Sequence, residues 1–473
     1  MSVISCSAFR LGRQDAAVSA TSVGLKVAVD KKPALVYRWA DVLGASAGLD
    51  EGIGATSSMP LVVHVLEKTK GGKRKLRDVV LTSAAADNGI HQMEVDKWVR
   101  IVQYFADPRR DANAPCPTLD EVMQHSPRQR TFLVLINPAG GSGKAEKIYD
   151  KVESFLVLAN VRVEKIVTER PHHALDVAEH LDLVKYDCLV IVGGDGLVYE
   201  VVQGFMKRLD WAAAIQFPLG ILPAGSGNGL AKSICEAAGE ISSPESCMYL
   251  SVKGRPVPLD VATLRNASTT CYLVLSLTWG FMAEIDYESE KYRFFGGQRF
   301  VVGTLVKLLA PKTWNGTFSY LESTADDADV PRFQASDSPA PELSVLPPLG
   351  TPVPPKWKTI EGPMSMFWAM NVSHASTDAH IAPPARLDDG FFHVVVMEGK
   401  ASRGDYAGVM LGLEKGQHVD QPAVQLIKTR AFQLQTPDEH VLMADGERCD
   451  GGTWQVEVHR GMARVMSVMA SPP

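Results

Sequence analysis

Three short glycine-rich segments hold the residues best suited to chemistry: Asn137-Pro138-Ala139-Gly140-Gly141-Ser142-Gly143-Lys144, Val192-Gly193-Gly194-Asp195-Gly196-Leu197 and Pro223-Ala224-Gly225-Ser226-Gly227-Asn228-Gly229. Glycine bares the backbone, and free N–H groups ahead of a helix bind phosphate oxygens. The first segment is not a P-loop: Pro138 stands where the leading glycine is required, and Ala145 replaces the Ser/Thr that would hold magnesium. The third has glycines at alternate positions and fails the GxGxxG pattern, which disfavours a dinucleotide site. Its Ser226, Asn228 and backbone amides suit phosphate contact. In the second, Asp195 is placed to cap the following helix, to accept the proton of an attacking hydroxyl, or to help hold a metal. Each loop alone is also an ordinary tight turn; the three together are far more specific for a polyphosphate.

The elements that must position them alternate. From Arg130 to about Gly239, Val/Ile/Leu-rich runs (TFLVLINP, VRVEKIVT, DCLVIVGG, PLGILPA) are separated by helix-period segments. Such near-continuous apolar strands predict a parallel sheet covered on both faces, with the loops at its ligand-binding edge. After Pro256 the runs CYLVLSLTWGFM, GTFSYLE, MSMFWAMNVS, FFHVVVME, AFQLQTP and TWQVEVHR read as an antiparallel sandwich. The predicted division is a β-rich region 1–113, a linker 114–129, an α/β domain 130–240, and a β-sandwich 241–473. Within the last, the Pro/Ser/Ala/Asp-rich stretch 323–358 is expected to be a disordered insertion. The first region holds short strands around the basic turn KGGKRKLR and ends in EVDKWVRIVQYF, where Val95, Trp98, Val102 and Phe105 share a helix face. Strands closed by a Trp-bearing helix resemble a pleckstrin-homology module; an extension packed on the catalytic domain fits equally. KGGKRKLR reads either as a phosphoinositide-attracting loop or as a solvated turn.

Composition sets the bounds. At 473 residues the chain exceeds one compact core. A net charge of −6 argues against a general nucleic-acid binder. Seven dispersed cysteines without a CxxC pair point to reduced thiols in the cytosol or nucleus, and a cytoplasmic setting is expected. Without a membrane-length apolar run, contact with a bilayer is expected to be peripheral.

In this order and spacing, LINPAGGSGKA, TERPHHA, GGDGLVYEVVQG and LPAGSGNGLA resemble the catalytic domain shared by diacylglycerol, ceramide and sphingosine kinases. The strings WGFMAEIDYESEKYRFFGGQRFVVGT, LEKGQHV and ADGE resemble sphingosine kinases in particular. The resemblance implies a phosphofructokinase/NAD kinase-like α/β domain followed by a β-sandwich, with ATP and Mg2+ bound between them. It implies that Asn137, Gly141, Ser142, Thr168, Gly193 and Gly194 line the nucleotide site, that Gly225, Ser226 and Gly227 cover the phosphates, and that Glu200 lies near. Asp195 would be the general base, Arg293 and Arg299 the phosphate-binding arginines, and Asp445 and Glu447 the acidic pair around nucleotide and magnesium. Metal ligands would come from Asp195 and Glu447, and Asp286 would receive the lipid's amine. In departures from the family pattern, Gly193 stands where serine is common, Gln203 where asparagine is frequent, and Glu284 where many members have a second aspartate.

Chemistry supports these roles. A primary alcohol needs a carboxylate to take its proton, and the transferring phosphoryl group needs cations, which arginine supplies bidentately. A carboxylate facing an ammonium disfavours neutral diacylglycerol, which would leave it unpaired. The expected activity is transfer of the ATP γ-phosphate to a sphingoid base. Ceramide or diacylglycerol kinase, and a catalytically silent lipid-binding scaffold, are the alternatives. A homodimer is compatible with this reading.

Overall fold

The computed structural model describes residues 3–48, 59–83, 88–111, 114–289, 312–323 and 330–468. The four apolar runs of the middle region form a parallel ladder in the order Val161–Val167, Arg130–Ile136, Cys188–Gly193, Pro218–Pro223. All six residues of Cys188–Gly193 are buried, because helices cover both faces of the ladder. Parallel register brings the four strand ends to one edge. There Asn137 N–H donates to the Val192 carbonyl (3.0 Å), Thr168 N–H to Ile136 (2.8 Å) and Ala224 N–H to Gly193 (2.8 Å).

This domain runs past the predicted boundary at 240. Ser243 caps helix Pro244–Lys253, accepting from Ser246 N–H at 3.2 Å. The helix buries Met248, Leu250 and Val252 in the same core as the parallel strands. Antiparallel strands follow, and their core is aromatic: Phe318 lies 5.0 Å from Phe367 and 5.5 Å from Phe432, centroid to centroid. The run CYLVLSLTWGFM is strand only as far as Gly280, whose φ of 71° turns the chain into helix Phe281–Ser289. Strand Glu447–Ser467 unites the two domains. It pairs antiparallel with Ala431–Ala444 and Arg255–Arg265, then lies parallel to Pro218–Pro223 with Leu219 opposite Val465.

Within the stretch 323–358, the described residues 330–357 are not the disordered insertion that its composition predicts. Residues 330–357 form a strap across both domains, tied by partners remote in sequence. The buried Glu457 carboxylate accepts N–H bonds from Ser344 (2.9 Å), Val345 (3.2 Å) and Leu346 (3.2 Å), and the Ser344 hydroxyl at 3.0 Å. Trp211 Nε1 donates to the Ser338 carbonyl at 2.8 Å, and Phe333 packs against the Trp211 ring. Glu457→Ala is expected to release the strap. Removing a charged acceptor of several bonds costs about 2–3 kcal/mol, so limited proteolysis within 334–350 should accelerate roughly 30-fold or more; unchanged resistance would show that the other ties suffice.

The N-terminal region is a seven-stranded antiparallel sheet, Leu35–Arg38, Gly24–Val29, Gln14–Thr21, Val3–Leu11, Arg74–Ser83, Leu61–Lys68, Val42–Ala47 in spatial order. Helix Asn88–Ala106 closes it with Val95, Trp98, Val102 and Phe105 buried. Its basic turn docks on the α/β domain. Arg74 makes two bonds to Glu240 (2.7 and 3.2 Å) and one to Asp41 (2.6 Å), and stacks 3.7 Å from the Tyr249 ring centroid. Lys68 donates to the Gly239 carbonyl at 2.6 Å. Thus Arg74, at the heart of KGGKRKLR, is committed to an internal joint.

Candidate functional site

The three glycine loops touch backbone to backbone. A Cβ on Gly225 would lie 2.3 Å from Gly194 Cα, and one on Gly141 2.7 Å from the Ala224 carbonyl oxygen. Glycine at Gly194 and Gly225 therefore serves close approach of the loops. Asp195 begins helix Asp195–Met206, yet its carboxylate caps a different one. Oδ2 accepts from Gly229 N–H (2.9 Å) and Oδ1 from Leu230 N–H (3.1 Å), the first amides of helix Gly229–Ala237. Asn228, the residue preceding that helix, cannot do so. Its side chain folds back on Gly225, accepting from the N–H and donating to the carbonyl, both at 2.9 Å. Burial raises the Asp195 carboxyl above its ordinary value, against the lowering effect of the N–H bonds from Leu230 and Gly229.

A cavity of about 370 Å3 opens at this edge. Asn137, Gly141, Thr168 and Ser226, expected at the nucleotide, line it, and so does Glu200. Gly193, Gly194, Gly225 and Gly227 belong to the touching loops without lining it, and Ser142 is exposed on the first loop. Glu169, Arg170 and Leu197 also line it and were missed. The signal for Arg170 was its place just beyond a strand end; its guanidinium pairs with Asp176.

The ADGE turn lies next to Asp195: a Cβ on Gly196 would be 3.9 Å from Glu447 Oε1, and the charge of Asp195 is felt at Asp445. Asp445 differs from the expected nucleotide contact. It is buried, and its carboxylate accepts three backbone bonds, from Val274 (2.7 Å), Leu275 (2.9 Å) and Ser276 (2.7 Å). Burial pushes its carboxyl up to about 7, against those N–H bonds, and Asp195 adds to the rise. Glu447 is exposed. Among the described residues no cluster of three acidic, His or Cys side chains is arranged to hold a metal. One carboxylate completed by phosphate oxygens suffices for magnesium, and Glu447 fits that donor set.

Strand Ser276–Gly280, gripped at its start by Asp445, leads into helix Phe281–Ser289 with Glu284 and Asp286. Glu284 accepts from Trp314 Nε1 at 3.2 Å. Gln203, another departure, joins the α/β helix to strand Thr270–Leu273, donating to the Tyr272 carbonyl (2.7 Å) and accepting its N–H (3.1 Å). From the sandwich domain, residues 374–377 press on the third loop: Thr377 N–H donates to the Gly227 carbonyl at 3.2 Å, and a Cβ on Gly229 would meet the His374 and Ala375 carbonyls at 2.6 Å. No sequence motif announces that contact. Arg293, Arg299 and the run FVVGTLVKLLA lie outside the described residues.

Known proteins agree with this architecture. The diacylglycerol kinase catalytic domain family matches residues 131–264, and the YegS C-terminal NAD kinase beta sandwich-like domain matches 358–467. A crystallised Bacillus anthracis str. Sterne protein assigned to the diacylglycerol kinases shares the fold, with a TM-score of 0.51 at 16% identity over 73% of this chain and 98% of its own. Human sphingosine kinase 1 is 35% identical over 358 residues, covering 73% of this chain and 93% of its own. Sphingosine kinase 1 of Arabidopsis thaliana is 32% identical (72% and 76%), and sphingoid long chain base kinase 4 of Schizosaccharomyces pombe is 29% identical (70% and 73%). A chain with these loops, this sandwich and these relatives belongs to the sphingosine kinase family, lipid kinases that phosphorylate sphingoid bases with ATP.

Proposed function

We propose that Asp195 is the general base that takes the proton from the primary hydroxyl of sphingosine or a related base as the γ-phosphoryl group leaves ATP, giving sphingosine 1-phosphate. The convergence of three glycine loops on Asp195 carries the reading. A base works best with a pKa near the operating pH, and burial moves this carboxyl in that direction. The Gly229 and Leu230 N–H groups hold its two oxygens in place.

Asn137, Gly141, Thr168 and Ser226 hold the nucleotide in this account, with backbone N–H groups of the touching loops on its phosphates. Glu447 would hold Mg2+, which when bound would supply positive charge against the transferring phosphoryl group. Arg293 and Arg299 add cationic forks. Asp286 pairs with the substrate ammonium, while Asp445 acts as a positioning residue that fixes the strand leading to it. The enzyme works from the cytoplasm as a peripheral visitor to the bilayer; no helix among the described residues is long and apolar enough to cross a membrane. The seven-stranded sheet with its closing helix supports a pleckstrin-homology-like N-terminal module.

Purified protein given labelled ATP and magnesium is expected to prefer sphingosine or phytosphingosine over ceramide and diacylglycerol; equal use of all three defeats the substrate assignment. Asp286→Asn should raise KM for sphingosine about tenfold, the scale of one charge-assisted bond, and leave KM for ATP in place. Unchanged sphingosine kinetics would show that the amine pairs elsewhere.

A further inference from the structure

The N-terminal module and the α/β domain are joined by close contacts, and beside the joint a second cleft opens, about 410 Å3 in volume. It shares no residue with the nucleotide cavity. Its walls come from the last turns of helix Asn88–Ala106, from the connection 123–130, and from the turn Leu158–Asn160. Four arginines line it, Arg100, Arg109, Arg128 and Arg130, against a single carboxylate, Asp107.

Arg130 is the innermost cation. It is only 7% exposed; its Nη1 donates to the Val252 carbonyl at 2.8 Å, and its guanidinium lies 5.3 Å from the Phe132 ring centroid. No carboxylate among the described residues is within ion-pair distance of it. A second buried cation is close: Lys253 Nζ donates to the carbonyls of Val42 (2.7 Å) and Ala106. Burial pushes Lys253 down to about 7, and the charge of Arg130 adds to the fall. Both cations bond directly to carbonyls, with the Asp107 charge felt at each from farther off; buried cations held this way are costly, and a counter-anion in direct contact relieves that cost.

The rim carries the more exposed arginines. Arg109 forks onto Asp107 (2.7–3.2 Å) and Arg128 pairs with Asp187, yet their side chains stay 42% and 61% exposed, which leaves outward N–H groups for an anion in the cleft. Arg100 spends one donor on the Met123 carbonyl at 3.4 Å and keeps the rest of its fork. Forks arriving from three chain segments suit an anion carrying more than one phosphate, and the volume is that of a small-molecule site.

We propose that this cleft binds a multiply phosphorylated small anion of the inositol phosphate kind, free or as a lipid headgroup, and that the bound anion braces the N-terminal module against the α/β domain. Its walls belong to both parts, so occupancy stabilises their joint arrangement by mass action.

The test uses the full chain saturated with a non-hydrolysable ATP analogue, so that the nucleotide loops are already filled. Inositol trisphosphate is titrated by calorimetry and thermal shift. Flotation compares phosphatidylcholine vesicles with and without phosphatidylinositol bisphosphate. Saturable binding and a raised Tm are expected, with affinity falling about tenfold or more in the exposed double variant Arg109→Ala/Arg128→Ala. That variant should keep wild-type basal turnover on sphingosine, which separates this site from the catalytic assignment. Arg130→Gln should abolish the thermal shift. Binding of the soluble probe alone identifies a free phosphate ligand; binding of the vesicles as well identifies a headgroup. Absence of binding to either probe, or equal binding by the double variant, overturns the proposal.

Discussion

Asp195→Asn is expected to cut phosphoryl transfer by about 10²–10⁴-fold, the range lost with a general base, while the protein stays folded. The carboxylate serves two helices, beginning one and capping the other through Gly229 and Leu230. An amide keeps one acceptor and turns its NH2 toward the other N–H, so one bond is lost. That costs about 1–3 kcal/mol, or roughly 2–10 °C in Tm for a domain of this size. The chemical loss is larger than this structural one and separable from it: kcat should fall far more than nucleotide affinity. Near-normal turnover would remove Asp195 from the base role.

The second large effect is expected at Asp445. Alanine there strands three buried N–H groups, at Val274, Leu275 and Ser276, and places a residue without a polar side chain at a φ of 50°. A loss of about 3–5 kcal/mol follows from breaking such a buried cluster on one side. Lipid phosphorylation should suffer with it, because the freed strand leads to the helix bearing Asp286. The pH dependence has a definite sign. The folded carboxyl titrates near 7, above the ordinary unfolded value of about 4. The folded chain therefore binds the proton more tightly, and this contribution to stability is full below pH about 4 and lost as pH rises to about 7. Asp445→Asn removes the titration and should flatten that part of the Tm profile. A slope unchanged in the Asn variant would assign it to another group.

What the sequence revealed and what it hid divide along physical lines. Alternation of apolar strands with amphipathic helices marks the parallel ladder, and the ladder's register alone brings Asn137, Thr168, Gly193 and Ala224 to one edge. The ADGE string marked Asp445 as important, but only the fold reveals that its oxygens face amides 169 to 171 positions away. Residues 330–357 lack an apolar pattern of their own, and their order comes from Glu457, Trp211 and Arg460, none of which a local reading connects to them. Arg74 looked like a surface charge because Glu240, its buried partner, lies 166 residues on. The boundary near 240 was misplaced because helix Pro244–Lys253 has a weak amphipathic pattern: most of its residues are buried, polar ones included.

The 21-residue strand Glu447–Ser467 has a consequence for engineering as well as for motion. Its C-terminal part completes the hydrogen-bond ladder of Pro218–Pro223, so a chain cut before Glu447 would leave that apolar strand as a bare edge, open to pairing with other molecules. Neither half is a portable cassette. Any opening of the cleft would have to deform this shared strand, because it runs without a break from the Ala431–Ala444 pairing to the Pro218–Pro223 ladder.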